Sequence, residues 1–528
     1  VLVVGQGTAA VAAQGIAHVI GTIVGKRLAV TPQLATEFSA WRLRRDMSDT
    51  VVVAVSQSGS TTDTNRAVDL ARERGAAVIA IVNRRESDLA HKSDGVVYTS
   101  DGRDVELSVA STKAFYSQIA AGSLLGLAFG RVLDVLDPEL ETSLISSLVA
   151  LPDQLAALLG DPSTVHDVAR AVATRYPNWA VVGSGPNRVS ANEVRIKLSE
   201  LCYRTVAVDA VEDKKHIDLS AESLVLVCAA GAPPNQLHDL AKEVEIFKAH
   251  SNQAVVICDA DTVGMWSTDL VIPIPSAHPA FAWVLGTAAG HLFSYHAAQA
   301  IDATAQPLRR ALEELEHLVD SGATIGRTPP AAVVHPIDQV LTSAADGELR
   351  GVLSSSATMG LVRIVAGTQL GAAAGAAVTS GVDDVRVGLG VAIEELTLSI
   401  DTIKHQAKTV TVGTSRSDAD LYDNLLVEAM RSAGADVLTL NLPVLDVLRS
   451  LAPMVRSAEG VTRYALDWSR PEAPRLAVVG KFGSSAGLTS RADDGAPLSG
   501  SKRRVAELAL PRLVLGRGDS RIVVIVPE

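Results

Sequence analysis

The sequence predicts an α/β protein with two tandem, doubly wound parallel-sheet domains followed by a third α/β region. Short apolar runs rich in Val and Ile alternate with longer stretches of helical period, which is the pattern of parallel strands joined by crossover helices. Two successive blocks repeat the same order of strands and the same strand-then-glycine opening, which indicates an internal duplication. The length of 528 residues agrees, because it is enough for three or four domains.

The first block, residues 1–145, opens with a strand that ends in glycine and closes with a helix. Its strands are predicted at 1–5, 51–55, 77–83 and 95–99, and its closing helix runs from Ser111 to about Phe129. The second block, residues 146–321, repeats this order with strands at 180–185, 224–231, 254–259 and 270–275 and a helix from about Phe281 to Ala300. The seam between the blocks falls in the helical stretch from about 133 to 175.

The third α/β region, residues 337–528, follows a proline-containing linker at 322–336. Its strands are predicted at 408–418, 435–441, 475–483 and 521–528. The stretch 357–378 is apolar, but Arg363 and Gln369 interrupt it, so we interpret it as a closely packed helix rather than a membrane span. The chain opens with Val1, shows no secretory signal and stops in a predicted strand, so we expect it to be part of a longer protein.

Composition narrows the classes of function. The net charge of −12 disfavours binding to nucleic acid, because phosphodiester polymers need a basic surface and the sequence shows no strong basic patch. Cys202, Cys228 and Cys258 lie in apolar runs without C-x-x-C spacing, which fits buried thiols in a reducing compartment better than disulfides or a metal site. We therefore expect a cytoplasmic protein that binds no metal, membrane or nucleic acid.

The loop after the second predicted strand is the most specific local motif for ligand binding. The strand ends at Val55, the loop SQSGS follows at 56–60, and a helix begins near Thr61. This order places hydroxyls and free backbone N–H groups at a helix N-terminus outside the carboxyl end of a parallel strand, where a phosphate binds well. The alternative is a Ser/Thr-rich cap without a ligand, because these residues are preferred caps in any case. The number of hydroxyls and Gln57 favour a phosphomonoester site.

This loop carries a resemblance, together with ATEF at 35–38 and ELSVASTKAF at 106–115. The three strings resemble the sugar isomerase (SIS) domain of the glutamine:fructose-6-phosphate amidotransferase family, which makes glucosamine 6-phosphate. The resemblance covers about 1–305 and implies two tandem SIS domains. It also implies that the sugar phosphate is held by Gly7, Thr8, Ser56, Gln57, Ser58 and Thr61, and that Val109 and Ser111 line the sugar.

The second block supplies candidate acid/base residues instead of a second phosphate loop, because its equivalent loop at 228–234 has no hydroxyls. Lys197 and Glu200 lie three apart and hence on one helix face, and His216 follows in a polar segment. The resemblance maps the active site of the family onto these positions. Isomerisation needs a carboxylate that moves a proton, so Glu200 is the predicted base, with His216 assisting ring opening and Lys197 stabilising the oxyanion. The alternatives are an ordinary surface ion pair and a structural histidine.

Some residues depart from the family pattern. The lysine that reaches the substrate carbonyl in the family corresponds to Leu312, which cannot form a Schiff base or carry a proton. Ala9 removes a hydroxyl from the first loop, and Ser60 replaces an acidic residue. Sugar-phosphate binding is therefore a firmer expectation than amination, and a non-catalytic sensor of hexose phosphate or an isomerase without amination remains the alternative.

The resemblance also implies partners. The family acts without a cofactor, as a homodimer in which a histidine loop is donated across the interface. Its glutaminase half, which supplies ammonia from glutamine, has no counterpart between Val1 and Glu528 and could lie upstream in the full protein. Without that half, the chain could use only free ammonia.

Overall fold

A computed structural model gives the coordinates of the chain. It describes all residues except 102–110, 218–222, 322–329, 375–381, 410–421, 423, 468, 471–472, 491, 494, 516–521 and 528, and for 215–217, 367–374, 397–409 and 442 it describes the backbone alone. The chain divides into two units, Val1–Gly413 and Thr414–Glu528. The predicted strand at 408–418 lies almost wholly outside the described residues.

The first sheet is parallel and has five strands. They are β1 (Leu2–Gly5), β2 (Thr31–Leu34), β3 (Val51–Ser56), β4 (Ala77–Val82) and β5 (Gly95–Tyr98), in the spatial order β2-β1-β3-β4-β5. The four apolar strands were predicted, whereas β2, with the sequence TPQL, was not. This strand lies at the sheet edge, where only one neighbour must be satisfied and a proline is tolerated.

The second sheet repeats the first. Its strands are β6 (Trp179–Gly183), β7 (Val206–Asp209), β8 (Leu224–Cys228), β9 (Gln253–Asp259) and β10 (Val271–Ile274), in the order β7-β6-β8-β9-β10. Position for position this is the order of the first sheet, and every pairing in both sheets is parallel. The predicted duplication and fold class are therefore confirmed.

Helices cover the faces of both sheets and connect their strands. They are α1 (Thr8–Val24), α2 (Ala35–Glu37), α3 (Thr62–Arg72), α4 (Asp88–Lys92), α5 (Lys113–Val132), α6 (Pro138–Gly160), α7 (Ser163–Val172), α8 (Asn187–Cys202), α9 (Val211–Ile217), α10 (Pro234–Ala249) and α11 (Pro279–Ala303). One apolar core joins the two halves, because residues of α1, α5, α8 and α11 share a single cluster. In this core a methyl group on Gly290 would lie 2.2 Å from the Val194 side chain, so α8 and α11 pack at close range.

The described residues of the first unit after α11 form α12 (Gln306–Asp320), α13 (Ala331–Ala345), α14 (Ser355–Ala374) and α15 (Val382–Thr409). They pack through their own apolar cluster, in which Leu308, Ile337, Leu361 and Leu389 are fully buried. The described part of the 357–378 stretch is thus a packing helix, as predicted. Because the periodic apolar positions lie on the inner faces, these helices need no sheet to bury them.

The second unit contains α16 (Leu425–Ser432), α17 (Leu442–Leu451), α18 (Gly500–Leu508), β11 (Gly460–Asp467), β12 (Arg475–Gly483), β13 (Ala496–Pro497), β14 (Arg512–Leu515) and β15 (Ile522–Ile525). Its sheets are antiparallel, in the order β11-β12-β13 and as the pair β14-β15. The strand predicted at 435–441 is wrong, because 437–439 form a 3-10 helix that Asp436 caps through the Leu438 N–H. An apolar run this short cannot be assigned to strand or helix by period alone.

Two helical segments are long and apolar enough to cross a membrane, Thr8–Arg27 and Pro138–Gly160. Length and composition alone give weak support for a span, because core helices pass the same test. The first segment is mostly buried in the core between the two sheets, and about a sixth of the second is buried.

Candidate functional site

The loop between β3 and α3 gathers hydroxyl groups at the carboxyl edge of the first sheet. Ser56 is almost fully buried, and its Oγ accepts the Gly59 N–H at 3.0 Å and lies 3.4 Å from Thr61 Oγ1. Ser58 Oγ accepts both the N–H and the hydroxyl of Ser60, at 3.3 and 3.0 Å. Thr61 precedes α3 without capping it through its side chain. The loop therefore presents converging hydroxyls at a helix N-terminus, which is the arrangement that holds a phosphate.

The conformation of this loop depends on Gly59. Its φ is +66°, and a methyl group there would lie 2.2 Å from Ser87 Oγ. The Gly59 carbonyl accepts the Asn65 side-chain amide at 3.0 Å and the Leu89 N–H at 3.1 Å. Hydrogen bonds from both α3 and α4 therefore fix the conformation of the hydroxyl loop.

The equivalent loop of the second domain is closed by a side chain from the neighbouring strand β9. Gly231, with φ +64°, occupies the place of Gly59, and its N–H donates to Asp259 Oδ2 at 2.7 Å. Burial raises the pKa of Asp259. Because a carboxylate already accepts the N–H that would face an anion, this loop has neither the hydroxyls nor the free donor of the first one.

Helix α8 brings the two domains together at a buried charged cluster. Lys197 is fully buried, and its Nζ donates to Glu200 Oε2 at 2.8 Å and to Thr8 Oγ1 at 3.2 Å. Glu200 keeps about a quarter of its side chain exposed. The structure thus places two of the predicted site residues, Thr8 and Glu200, within hydrogen-bond distance of a third, Lys197.

Sequence reasoning missed three members of this cluster. Glu193 is fully buried, with Oε1 3.5 Å from Lys197 Nζ and accepting the Thr8 hydroxyl at 3.3 Å. His291 lies with Nε2 3.5 Å from the same oxygen, and its Nδ1 is 2.8 Å from the Tyr116 hydroxyl. The i,i+4 spacing of Glu193 and Lys197 could have indicated the first residue. No local pattern links Tyr116 to His291, which are 175 positions apart.

Of the remaining predicted site residues, the structure describes Gly7, Gln57 and Ser111 in full. Gly7 has φ +60° and directly precedes α1, and its carbonyl accepts the Ala10 N–H at 2.9 Å. Gln57 and Ser111 are half-buried. Val109 lies outside the described residues, and for His216 the structure describes only its backbone, in α9.

Leu312, at the position of the family lysine, lies in α12. Its side chain packs against the apolar cluster of α12 to α15. An aliphatic side chain used for packing offers no nucleophile or proton carrier, so this position contributes no reactive group.

The thiols and possible metal ligands add little to the site. Cys202, Cys228 and Cys258 are buried and free, as predicted, and burial raises the pKa of Cys202 and of Cys228 to about 12. Within the described ranges, no group of three His, Cys, Asp or Glu side chains could hold a metal ion.

Comparison with known proteins extends this picture. Residues 1–128 match the family model of the SIS domain. The glutamine–fructose-6-phosphate aminotransferase (isomerizing) of Symbiobacterium thermophilum is 31% identical over 288 residues, which cover 54% of this chain and 47% of that protein. The same enzyme of Mycolicibacterium paratuberculosis is 35% identical over 286 residues, covering 52% and 44%. The chain thus spans about half the length of the curated relatives it matches.

A solved structure shows the same fold. The C-terminal domain of glucosamine-fructose-6-phosphate aminotransferase from Francisella tularensis superposes with a TM-score of 0.52 at 22% identity, covering 57% of this chain and 84% of that one. At this identity the likeness concerns the fold, and it agrees with the two equivalent five-stranded sheets. Together the comparisons show homology to the isomerase part of these enzymes.

Proposed function

We propose that this chain, a SIS-domain protein homologous to the isomerase half of glutamine–fructose-6-phosphate aminotransferases, binds fructose 6-phosphate and isomerises it. In its full form the reaction adds ammonia and yields glucosamine 6-phosphate. The phosphate would bind at the hydroxyl loop of Ser56, Ser58 and Thr61. The three buried thiols fit a reducing compartment such as the cytoplasm.

This proposal rests on the two hydrogen bonds by which Lys197 joins Thr8 of the first domain to Glu200 of the second. A fully buried ammonium lies between a partly exposed carboxylate and a hydroxyl from the other domain. Burying a lysine away from water is costly unless carboxylates and hydrogen bonds compensate it. An ordinary surface ion pair would leave the lysine exposed to solvent. The burial of Lys197 therefore favours a functional site over such an ion pair.

The proposed mechanism moves one proton between neighbouring carbons. The Glu200 carboxylate takes the proton from C1 of the open-chain ketose, and the electrons of the C–H bond form a C1–C2 double bond while negative charge develops on O2. Lys197 stabilises that charge. The proton of the O1 hydroxyl passes to O2, Glu200 returns its own proton to C2, and the electrons left on O1 form the C1 carbonyl of the aldose. His216, donated by a second copy of the chain, would assist ring opening beforehand.

Amination adds one balanced step before the proton transfer. Ammonia condenses with the C2 carbonyl, water leaves, and the same C1-to-C2 proton transfer on the resulting imine gives the amino sugar. The ammonia would come from solution or from a glutaminase domain outside residues 1–528.

A second candidate function rests on Leu312. Because this side chain packs into the helical cluster and carries no reactive group, the chain could bind hexose phosphate as a sensor or isomerise it without amination. Both alternatives keep the phosphate loop and differ only in the chemistry at C1 and C2.

One experiment separates these functions. Purified chain is incubated with fructose 6-phosphate, with and without ammonium, and the products are followed by NMR. Glucosamine 6-phosphate supports the synthase activity, glucose 6-phosphate alone supports an isomerase, and shifts of bound ligand without product support the sensor. Absence of binding contradicts all three.

A matched pair of variants assigns the base. Glu200→Gln removes the proton acceptor and should lower kcat by about 10²-fold to about 10⁴-fold while the Kd for fructose 6-phosphate stays unchanged. Glu245→Gln changes an exposed glutamate on α10 and should leave both quantities unchanged. Unaltered turnover in Glu200→Gln would remove this residue from the mechanism.

A further inference from the structure

A buried polar chain runs from α5 through α11 to the charged face of α8. The Tyr116 hydroxyl contacts His291 Nδ1 at 2.8 Å, and His291 Nε2 lies 3.5 Å from Glu193 Oε1. The same carboxylate oxygen accepts the Thr8 hydroxyl and faces Lys197 Nζ. None of these contacts involves the loop at 56–60, and Thr8 is the one predicted phosphate ligand among them.

Burial determines which proton each member carries. Burial and the negative charge of Glu193 raise the pKa of Tyr116 well above its usual value, so the phenol keeps its proton. Because a carboxylate oxygen lies 3.5 Å from His291 Nε2, the ring proton is better placed on Nε2, and Nδ1 is then the acceptor of the Tyr116 O–H at 2.8 Å. In a neutral imidazole, the other nitrogen then carries the ring proton. The Nε2–H therefore faces Glu193.

This tautomer matters because it places a positive N–H hydrogen, rather than a lone pair, beside the buried Glu193 carboxylate. Neither His291 Nε2 nor Glu193 Oε2 has a hydrogen-bond partner among the described residues, so the 3.5 Å approach of Nε2 to Oε1 acts through charge rather than through a hydrogen bond. In the other tautomer a nitrogen lone pair would face the carboxylate and repel it. The Glu193 oxygen that contacts Lys197 would then shift, and the ammonium would lose its fixed position beside Glu200.

We propose that Tyr116 and His291 are positioning residues, which hold the Glu193 carboxylate and through it the Lys197 ammonium against Thr8 and Glu200. The role given to Lys197 rests on the proposed function. The tautomer of His291 is a property of the protein alone, so it can be tested without substrate.

The first test measures that tautomer. The full chain is labelled with ¹⁵N in its histidine rings, and long-range ¹H–¹⁵N spectra are recorded near neutral pH without ligand. His291 is assigned by the signal that is lost in His291→Gln. We expect the Nε2–H form in the unmodified chain and its loss in Tyr116→Phe. An Nδ1–H form or an imidazolium in the unmodified chain overturns the proposal.

The second test measures turnover of fructose 6-phosphate. Tyr116→Phe should lower kcat between about 10-fold and about 100-fold, because small displacements of a reacting group cost this much. KM should stay within about twofold, because the phosphate loop is untouched. Tyr295→Phe removes an exposed hydroxyl from α11, one that accepts a Gln299 amide, and should change neither constant. An unchanged kcat in Tyr116→Phe overturns the proposal.

A conservative variant covers the case in which Tyr116→Phe does not fold. His291→Gln keeps an amide donor for Glu193, whereas His291→Leu keeps none. We expect the glutamine variant to retain more kcat than the leucine variant, and equal values contradict the positioning role. If the unmodified chain turns over no hexose phosphate, the proposed function fails, and the ligand-free tautomer still decides whether Tyr116 orients His291.

Discussion

The ammonium of Lys197 lies 3.2 Å from the hydroxyl of Thr8, although 189 positions separate the two residues in the chain. Thr8 follows the first strand of the first sheet, and Lys197 lies on the helix after the first strand of the second sheet. The duplication therefore supplies both sides of one site. Each domain contributes the loop or helix after its own first strand, and neither domain alone completes the arrangement.

The burial of Lys197 predicts a large effect on stability. Lys197→Met leaves the buried Glu193 carboxylate without its cation, so the free energy of unfolding should fall by about 3–5 kcal/mol. The double variant Glu193→Gln/Lys197→Met removes both charges and should recover part of this loss. Chemical denaturation, followed by the signal of the first unit, measures each change.

A surface pair of the same kind serves as the control. Lys242 lies 3.7 Å from Asp239 on α10, with both side chains about three-quarters exposed. Lys242→Met should leave the denaturation midpoint unchanged, because exposed ion pairs contribute little. Equal effects of Lys197→Met and Lys242→Met would show that the buried cluster carries no special energetic role.

The hydroxyl loop predicts a binding effect that holds for an enzyme and for a sensor. Ser58→Ala removes a hydroxyl that would bond to the charged phosphate, and such bonds contribute about 1.5–3 kcal/mol. The Kd for fructose 6-phosphate should therefore rise between about 10-fold and about 100-fold, as measured by calorimetry. Ser146→Ala, an exposed serine on α6, should leave the Kd unchanged. An unaltered Kd in Ser58→Ala would place the phosphate elsewhere.

The buried thiols predict slow chemistry in the folded protein. With a pKa of about 12, Cys202 and Cys228 hold almost no thiolate near pH 8, so iodoacetamide should label them only after unfolding in guanidinium. In the unfolded chain these thiols lose their protons above about pH 9, whereas the folded chain keeps them. Stability should therefore fall as the pH rises from about 9 towards 12. Rapid labelling of the folded protein at pH 8 would contradict the burial.

The sequence allowed some of these features to be predicted and concealed others, for physical reasons. The Ser56 loop and the Lys197–Glu200 pair are local patterns, and their spacing alone places hydroxyls on one loop and charges on one helix face. The edge strands β2 and β7 were missed because they are short and carry polar or exposed residues. Edge strands need less apolar surface than central ones.

Long-range packing explains what could not be predicted. Tyr116 and His291 look like ordinary helix residues in the sequence, because 175 positions separate them and no local spacing links the two. They become partners only because α5 and α11 share one core. The strand predicted at 435–441 failed for the opposite reason: a short apolar run satisfied the pattern, and the Asp436 side chain turned the backbone into a 3-10 helix instead.

The conformation of Gly59 gives a test of the loop itself. Its φ of +66° disfavours any other residue, and a methyl group there would lie 2.2 Å from Ser87 Oγ and 2.5 Å from Ser87 Cβ. Gly59→Ala must therefore move α4 or the loop, and we expect both a lower melting temperature and a loss of fructose 6-phosphate binding.

Gly75→Ala is the matched control for this prediction. Gly75 also has a positive φ, +88°, but its nearest contacts lie at 3.5 Å, on Ser48. This variant has the cost of the backbone conformation without the clash, so it should lower the melting temperature slightly and leave the Kd unchanged. If both variants lose stability equally and both bind the sugar phosphate normally, the close approach of Gly59 to Ser87 does not determine the conformation of the phosphate-binding loop. A selective loss of binding in Gly59→Ala is the expected result, because Ser56 and Ser58 flank this glycine and depend on its turn.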